Sequence, residues 1–235
     1  MSDRPRAAIS WSGGKDCCLA LLRAAARYDV VAAVTMFDEA RERSRSHGLR
    51  PALVAAQVER LGLHHVTGGC SWDTYTDSFV AALETLRADA ITHVIFGDIM
   101  FDDHRQWTER ACTAAGLTAV QPIWGEPTEL LLREFLASGS DAVMVTVRQQ
   151  YLDRSWLGCR LSEDVAAKLI ARGVDPCGER GEYHTLVTNC PMFSRPLTVR
   201  YAGVVERSGC WALDVELAED LDPQAITAGP GQARC

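Results

Sequence analysis

Ala7-Ala8-Ile9-Ser10-Trp11-Ser12-Gly13-Gly14-Lys15-Asp16-Cys17-Cys18-Leu19 opens on a short apolar run, passes two glycines and a lysine, and continues into a helical pattern. The change of hydrophobic period predicts a strand over Ala7–Trp11 and a helix over Asp16–Ala26, with Leu19, Leu22 and Ala26 on one face. Two glycines let the backbone turn sharply and let amide N–H groups approach a ligand without side-chain clash. The helix points its positive end at the same spot, where an anion is stabilised. Lys15 adds a cation. The plainer reading of the same letters is a turn in which Asp16 caps the helix. Lys15 and Lys168 are the only lysines, against 22 arginines, so a lysine at this position calls for a reason.

The alternation continues outward. Val30–Phe37, Leu63–Thr67, His93–Phe96 and Leu117–Gln121 read as strands, between helical patterns over Pro51–Leu61, Thr76–Leu86 and Asp103–Ala115. A helix over Pro127–Ser138 and a strand over Ala142–Val147 follow. Gly62, Gly116, Gly139 and Gly173 each close a helical pattern, where the chain turns through a left-handed conformation. Regular alternation of this kind implies a parallel sheet with helices on both faces. The order changes near residue 150: a helix over Ser162–Arg172 precedes strands over Thr198–Glu206 and Trp211–Glu219, joined through Arg207-Ser208-Gly209 as a hairpin. The expectation is an α/β domain over residues 1–135 and a smaller α+β domain over 136–235, ending in a frayed tail at Gly229-Pro230-Gly231.

Composition narrows the class. The 235 residues carry 24 Lys and Arg against 31 Asp and Glu, a net charge of −7, which argues against a broad electrostatic grip on nucleic acid. Apolar residues at 47% rule out disorder. Met1-Ser-Asp-Arg-Pro-Arg lacks the apolar core of a signal peptide, and no apolar run reaches the length of a membrane span. Nine irregularly spaced cysteines without a C-x-x-C pair read as reduced thiols rather than as a disulfide framework or zinc site. A cytoplasmic protein is expected.

A Walker A loop requires glycine where Ile9 stands and Ser or Thr where Asp16 stands, so it fails, as does the dinucleotide G-x-G-x-x-G. Ser12-Gly13-Gly14-Lys15-Asp16 resembles instead the PP-loop of ATP pyrophosphatases, S-G-G-x-D-S, with Cys17 in place of the last serine. A thiol is a poorer hydrogen-bond donor than a hydroxyl. Gly97-Asp98-Ile99, His104-Arg105, Gln121-Pro122-Ile123-Trp124-Gly125, Cys177-Gly178-Glu179-Arg180-Gly181-Glu182-Tyr183-His184-Thr185 and Cys190-Pro191-Met192-Phe193 follow in order. Together with the PP-loop this series is similar to the diphthine–ammonia ligase family over roughly residues 7–200. The resemblance implies a Rossmann-like parallel sheet of order 3-2-1-4-5 with a small C-terminal domain. It also implies ATP and Mg2+, adenylation of a small carboxylate, and transfer of ammonia to give an amide. No membrane is involved, nucleic acid is disfavoured by the charge, and a homodimer is admissible. Arg180 departs from the family's small residue, Gly or Asn, at that position.

With that strand order the ligand crevice lies between the loops after the first and fourth strands, Ser12–Asp16 and Gly97–Arg105, so Asp98 is expected to face Lys15. The nucleotide set implied is Ser12, Gly13, Gly14, Lys15, Asp16, Cys17, Met36, Phe37, His47, Gly97 and Asp98, with Asp16 as magnesium ligand. Arg105, Glu179 and Glu182 are assigned to the acceptor, and Lys15, Asp98, Glu182 and His184 to the chemistry. Glu182 is the first choice, and His184 the second, to take the proton from the attacking ammonium. Plainer roles stand beside these: Met36 and Phe37 as core, His47 as a solvated loop residue, Asp98 as a turn cap, and 177–185 as a loop stabilised by its own carboxylates. Two other functions remain open, a PP-loop enzyme acting on tRNA and an adenine-nucleotide sensor without chemistry.

Overall fold

The computed structural model describes residues 4–218; Glu219 and the Gly229-Pro230-Gly231 tail lie outside them. Strand β1 (Arg6–Ser10) is the centre of a five-stranded parallel sheet of order β3-β2-β1-β4-β5. Its partners are β2 (Asp29–Phe37), β3 (His64–Gly69), β4 (His93–Ile95) and β5 (Thr118–Val120). Successive side chains enter opposite apolar clusters: Ala7 and Ile9 one, Ala8 the other; Ala33 and Phe37 one, Ala32, Val34 and Met36 the other. A strand buried on both faces is apolar at every position, which is why these runs are continuous. Helices α1 (Lys15–Ala24) and α2 (Pro51–Leu61) cover the first face, α3 (Tyr75–Thr85) and α4 (Asp102–Ala114) the second. Among the described residues no helix is long and apolar enough to cross a membrane.

After α5 (Thr128–Ala137) the alternation stops earlier than the sequence suggests. Strand β6 (Asp141–Arg148) leaves the parallel sheet and pairs antiparallel with β7 (Tyr183–Asn189) and β9 (Cys210–Leu217), beyond which lies β8 (Val199–Arg207). Helix α6 (Glu163–Ala171) is capped by Ser162 Oγ, which accepts the Val165 N–H at 3.2 Å. The expected loop through Thr185 is corrected here, because β7 begins at Tyr183 and buries Tyr183, Thr185 and Val187. The expected boundary at 135/136 falls inside α5. One apolar cluster runs without a break from Ile9 and Leu21 to Val145 and Leu186, so the two sheets share a core. The edge strand β7 closes directly on the loop after β1, with the Val187 N–H donating to the Gly13 carbonyl at 2.9 Å.

Candidate functional site

The loop Ser12–Gly14 leaves β1 where the strand order reverses, between β1 and β4. Gly13 takes φ +85°, and a Cβ there would stand 2.7 Å from Gln57 Oε1. Gln57, fully buried on α2, accepts Trp11 Nε1–H at 3.0 Å and donates to the carbonyls of Gly13 at 3.0 Å and Val187 at 2.7 Å. One amide thus ties β1, the loop and β7 together. Ser12 Oγ accepts the Gly14 N–H at 3.3 Å and donates to Cys17 Sγ at 3.2 Å, while the Cys17 thiol donates to the Gly14 carbonyl at 3.1 Å. Burial pushes the Cys17 thiol up, so it stays neutral. Where the PP-loop pattern has serine, this chain has a thiol that links the loop internally.

The first turn of α1 rests on Gly97. A Cβ at Gly97 would meet Cys17 N at 2.6 Å, Asp16 C at 2.8 Å and Cys17 Cα at 2.9 Å, all backbone atoms that cannot swing aside. Gly97→Ala is therefore expected to destabilise the fold by about 1–3 kcal/mol through overpacking. It also displaces the amides at the start of α1. Thermal unfolding checks the first effect, and an unchanged Tm would contradict the close approach.

Lys15 is 3% exposed. Its Nζ donates to Asp16 Oδ2 at 2.8 Å and to the Cys177 carbonyl, and stands 5.1 Å from the centroid of the Tyr183 ring. Its own N–H donates to Thr185 Oγ1 at 3.1 Å. Burial works against the ammonium, but Asp16, Tyr183 and Cys177 together outweigh it and the pKa rises, so Lys15 remains a cation. It braces the PP-loop against the segment before β7 as well as supplying charge.

A cavity of about 500 Å³ opens between these segments. Ser12, Lys15, Asp16 and Cys17 line it from one side, Gly97 and Asp98 from another, and His47, Glu179 and His184 from a third. Gly13 and Gly14 stand behind this lining; a Cβ at Gly14 would lie 2.1 Å from His47 Cε1, so the glycine admits His47. Besides these two glycines, four expected residues are not brought to the cavity. Met36 packs over Gly68 and Phe37 enters the other core cluster, as alternate residues of a buried strand do. Arg105 lies along α4, with Nε 3.0 Å from Glu109 Oε1, because His104, Trp107 and Thr108 take the helix face toward the cavity. Glu182 is 1% exposed and turned into its own segment, where Oε1 accepts the Asp175 N–H at 3.3 Å and Oε2 the Arg180 N–H at 2.9 Å. Arg180 is free of backbone strain, since the left-handed φ values fall at Gly178 (67°) and Gly181 (80°).

Two carboxylates that face the cavity, Asp98 and Glu179, are perturbed. Burial lifts Asp98, with Asp16 adding to it and His104, 3.6 Å away, opposing it. Burial, then Asp16, pushes Glu179 up to about 7, although its Oε1 accepts the Ile99 N–H at 3.3 Å. His184 is lowered to about 3 by burial, then by His47, Lys15 and Arg148. His47 is lowered by burial as well, and its Nδ1 lies 2.8 Å from the Thr185 carbonyl, which places the proton on Nδ1 and leaves Nε2 as an acceptor. The two imidazoles stack at 4.7 Å. Among the described residues no three His, Cys, Asp or Glu side chains form a metal cage. Magnesium carried on nucleotide phosphates needs only one or two carboxylates. Asp16 and Asp98 fit, because Asp16 already raises both Asp98 and Glu179 and a cation relieves that repulsion.

Sequence reasoning passed over Gln57, a polar letter inside the apolar stripe Leu53, Val54, Val58 and Leu61 of α2. It also passed over the aromatic wall of Trp72, Tyr75 and Trp107. Tyr75 stands 5.7 Å from Trp72 and 5.5 Å from Trp107, and the Trp72, Tyr75, Phe79 spacing on and before α3 was the available signal.

Comparison with known proteins adds the following. A diphthine–ammonia ligase of Schizosaccharomyces pombe is 34% identical over 116 residues, covering 48% of this chain and 19% of that one. The Rattus norvegicus diphthine–ammonia ligase is 31% identical over 137 residues, covering 55% and 50%. The chain thus matches half the length of these relatives or less. A solved structure described as a predicted subunit of tRNA methyltransferase from Methanocaldococcus jannaschii aligns at 16% identity and a TM-score of 0.41, over 80% of this chain and 98% of that one, too weak a likeness to bear on function. Residues 5–119 match the diphthamide synthase N-terminal domain and residues 127–218 its C-terminal domain, so the chain belongs to the diphthamide synthase family.

Proposed function

We propose that this chain is an ATP-dependent amide ligase that adenylates a small carboxylate and transfers free ammonia to it. The observation that carries the reading is the single cavity in which a PP-loop with a buried cation, Lys15, meets a carboxylate, Glu179, that titrates near neutrality. The aromatic wall of Trp72, Tyr75 and Trp107 offers adenine a stacking surface. An acceptor carboxylate oxygen attacks the α-phosphorus, the bond to the bridging oxygen of the β-phosphate breaks, and pyrophosphate leaves. The Lys15 ammonium and the first-turn amides of Asp16 and Cys17, the Lys15 N–H being taken by Thr185, stabilise the charge on the departing group. Magnesium, when bound, shares that neutralisation. Ammonia then attacks the acyl carbon, AMP leaves with the C–O electron pair, and the nitrogen gives a proton to Glu179. Glu179 takes the role first assigned to Glu182 because it faces the cavity. Seven cysteines of the described residues are free thiols, while Cys159 is disulfide-bonded, which corrects the expectation of reduced thiols throughout. The seven thiols support a cytoplasmic setting, with Cys159 the exception.

The test is turnover of ATP with ammonium and a panel of carboxylates, followed by chromatography. AMP and pyrophosphate are the expected products, since the loop lacks the Walker A pattern. ADP and orthophosphate would contradict the reading. Tight ATP binding with no cleavage across the panel would favour the sensor.

A further inference from the structure

We propose that a second cavity, adjoining the first, is an anion site that holds the acceptor through at least one negative charge besides the carboxylate that reacts. The inference rests on the ligase reading above and names its substrate class: a small acid with two or three negative charges.

This second cavity measures about 380 Å³, within the range of about 300–1,000 Å³ usual for small ligands, and shares Ser46, His47, Trp72 and His184 with the first. Its charged lining is Arg43, Arg45, Arg50, Arg148 and Arg207 against Asp214 alone, in a chain whose net charge is −7. Asp214 is already engaged, accepting from Arg43 Nη1 at 2.9 Å and from Arg50 Nε at 2.9 Å. That leaves Arg45, Arg148 and Arg207, which have no carboxylate partner among the described residues. They come from the segment after β2, the end of β6 and the end of β8, so the fold gathers them and no basic run in the sequence does.

Arg45 gives the strongest indication of a ligand. Its Nε and Nη2 are buried and make no hydrogen bond among the described residues, and its guanidinium lies 3.9 Å from the centroid of the Trp72 ring. A buried charged donor without an acceptor is destabilising, and a carboxylate or phosphate oxygen removes that cost in the bidentate geometry guanidinium favours. Stacking on Trp72 holds the planar group in place at a wall common to both cavities. The stacked imidazoles of His47 and His184 form the rest of that wall. An acid seated on the arginines can pass one carboxylate along these rings toward the nucleotide. The same arginines disfavour an acceptor that carries a cation beside its carboxylate.

Titration calorimetry of the whole chain with tricarballylate, 3-phosphoglycerate, propionate and inorganic pyrophosphate reads the site without ATP turnover. At least one of the two polyanionic acids is expected to bind with Kd below about 1 mM, and propionate about tenfold or more weakly. Arg45→Gln and Arg148→Gln should each weaken the polyanion about tenfold, in line with the loss of a charge-assisted bond. Arg45→Gln removes an uncompensated charge, and Arg148 is exposed, so neither change endangers the fold. No saturable binding of either polyanion up to about 10 mM, or unchanged binding in both variants, overturns the proposal. If pyrophosphate displaces the polyanion and also loses affinity in Arg45→Gln, the cavity holds departing phosphates and the acceptor assignment is overturned. ATP titration of Lys15→Ala tests the ligase reading separately, because unchanged ATP affinity there counts against the nucleotide site whatever the polyanions do.

Discussion

Lys15→Ala is expected to lower turnover by about 10²–10³-fold, the range for losing one preorganised electrostatic donor, and stability by about 1.5–3 kcal/mol, the worth of a hydrogen bond to a charged group. Both losses come from one ammonium. It bridges Asp16 at 2.8 Å to the Cys177 carbonyl, so its removal strands both acceptors and frees the segment before β7 from the PP-loop. Lys15→Met keeps much of the buried stem without the charge and should recover little of either loss. Lys15→Arg should fail too, because a planar fork does not fit the space filled by a 3% exposed point charge. Urea unfolding and AMP release measure the two effects; wild-type values for both in Lys15→Ala would remove the brace and the phosphate cation together.

Glu179→Gln is expected to lower amide formation by about 10²–10⁴-fold, the range for a positioned base, while ATP still binds. The working form is the carboxylate, and Glu179 is pushed up to about 7, so at a fixed concentration of free ammonia kcat/KM for the acceptor should rise with pH through about 7 and level off above it. The stability effect has the opposite sign. An acid whose pKa is raised from 4.5 to about 7 on folding contributes stability that is full below 4.5 and lost as pH rises through 7. Glutamine has no charge to bury, so the variant should be more stable than wild type at about pH 8 while being nearly inactive. Glu182→Gln makes the contrast. That carboxylate accepts two backbone N–H groups, at 3.3 and 2.9 Å, and its loss should lower stability at neutral pH. An amide-forming rate unchanged in Glu179→Gln would place the base elsewhere.

The parallel sheet was legible because burial on both faces leaves a continuous apolar run, as in Ala7, Ala8 and Ile9, and because Gly62 and Gly116 end their helices at φ 68° and 71°. Strand β7 was not. Tyr183-His184-Thr185 looks polar, and the buried partner of Thr185 is the Lys15 amide, 170 residues away in the chain. The same limit applies to the site. The glycines, the lysine and Asp98 carry their geometry in local letters, whereas Glu179 and Glu182 differ only in which way a turn directs them. Backbone hydrogen bonds from Asp175 and Arg180 turn Glu182 inward, and no local pattern specifies that. Arg105 misses the cavity for a similar reason, standing one position past His104 on α4 and so about 100° around the helix.

The central claim, that an acceptor carboxylate is adenylated in the PP-loop cavity before ammonia attacks, is tested most directly by following oxygen. The acceptor found in the carboxylate screen is labelled with oxygen-18 in its carboxyl group and turned over with ATP and ammonium, and the nucleotide product is weighed by mass spectrometry. Attack on the α-phosphorus carries a single carboxyl oxygen into the phosphate of AMP, so singly labelled AMP is expected alongside an amide that keeps the other label. Unlabelled AMP, or ADP with the label in orthophosphate, would contradict the account.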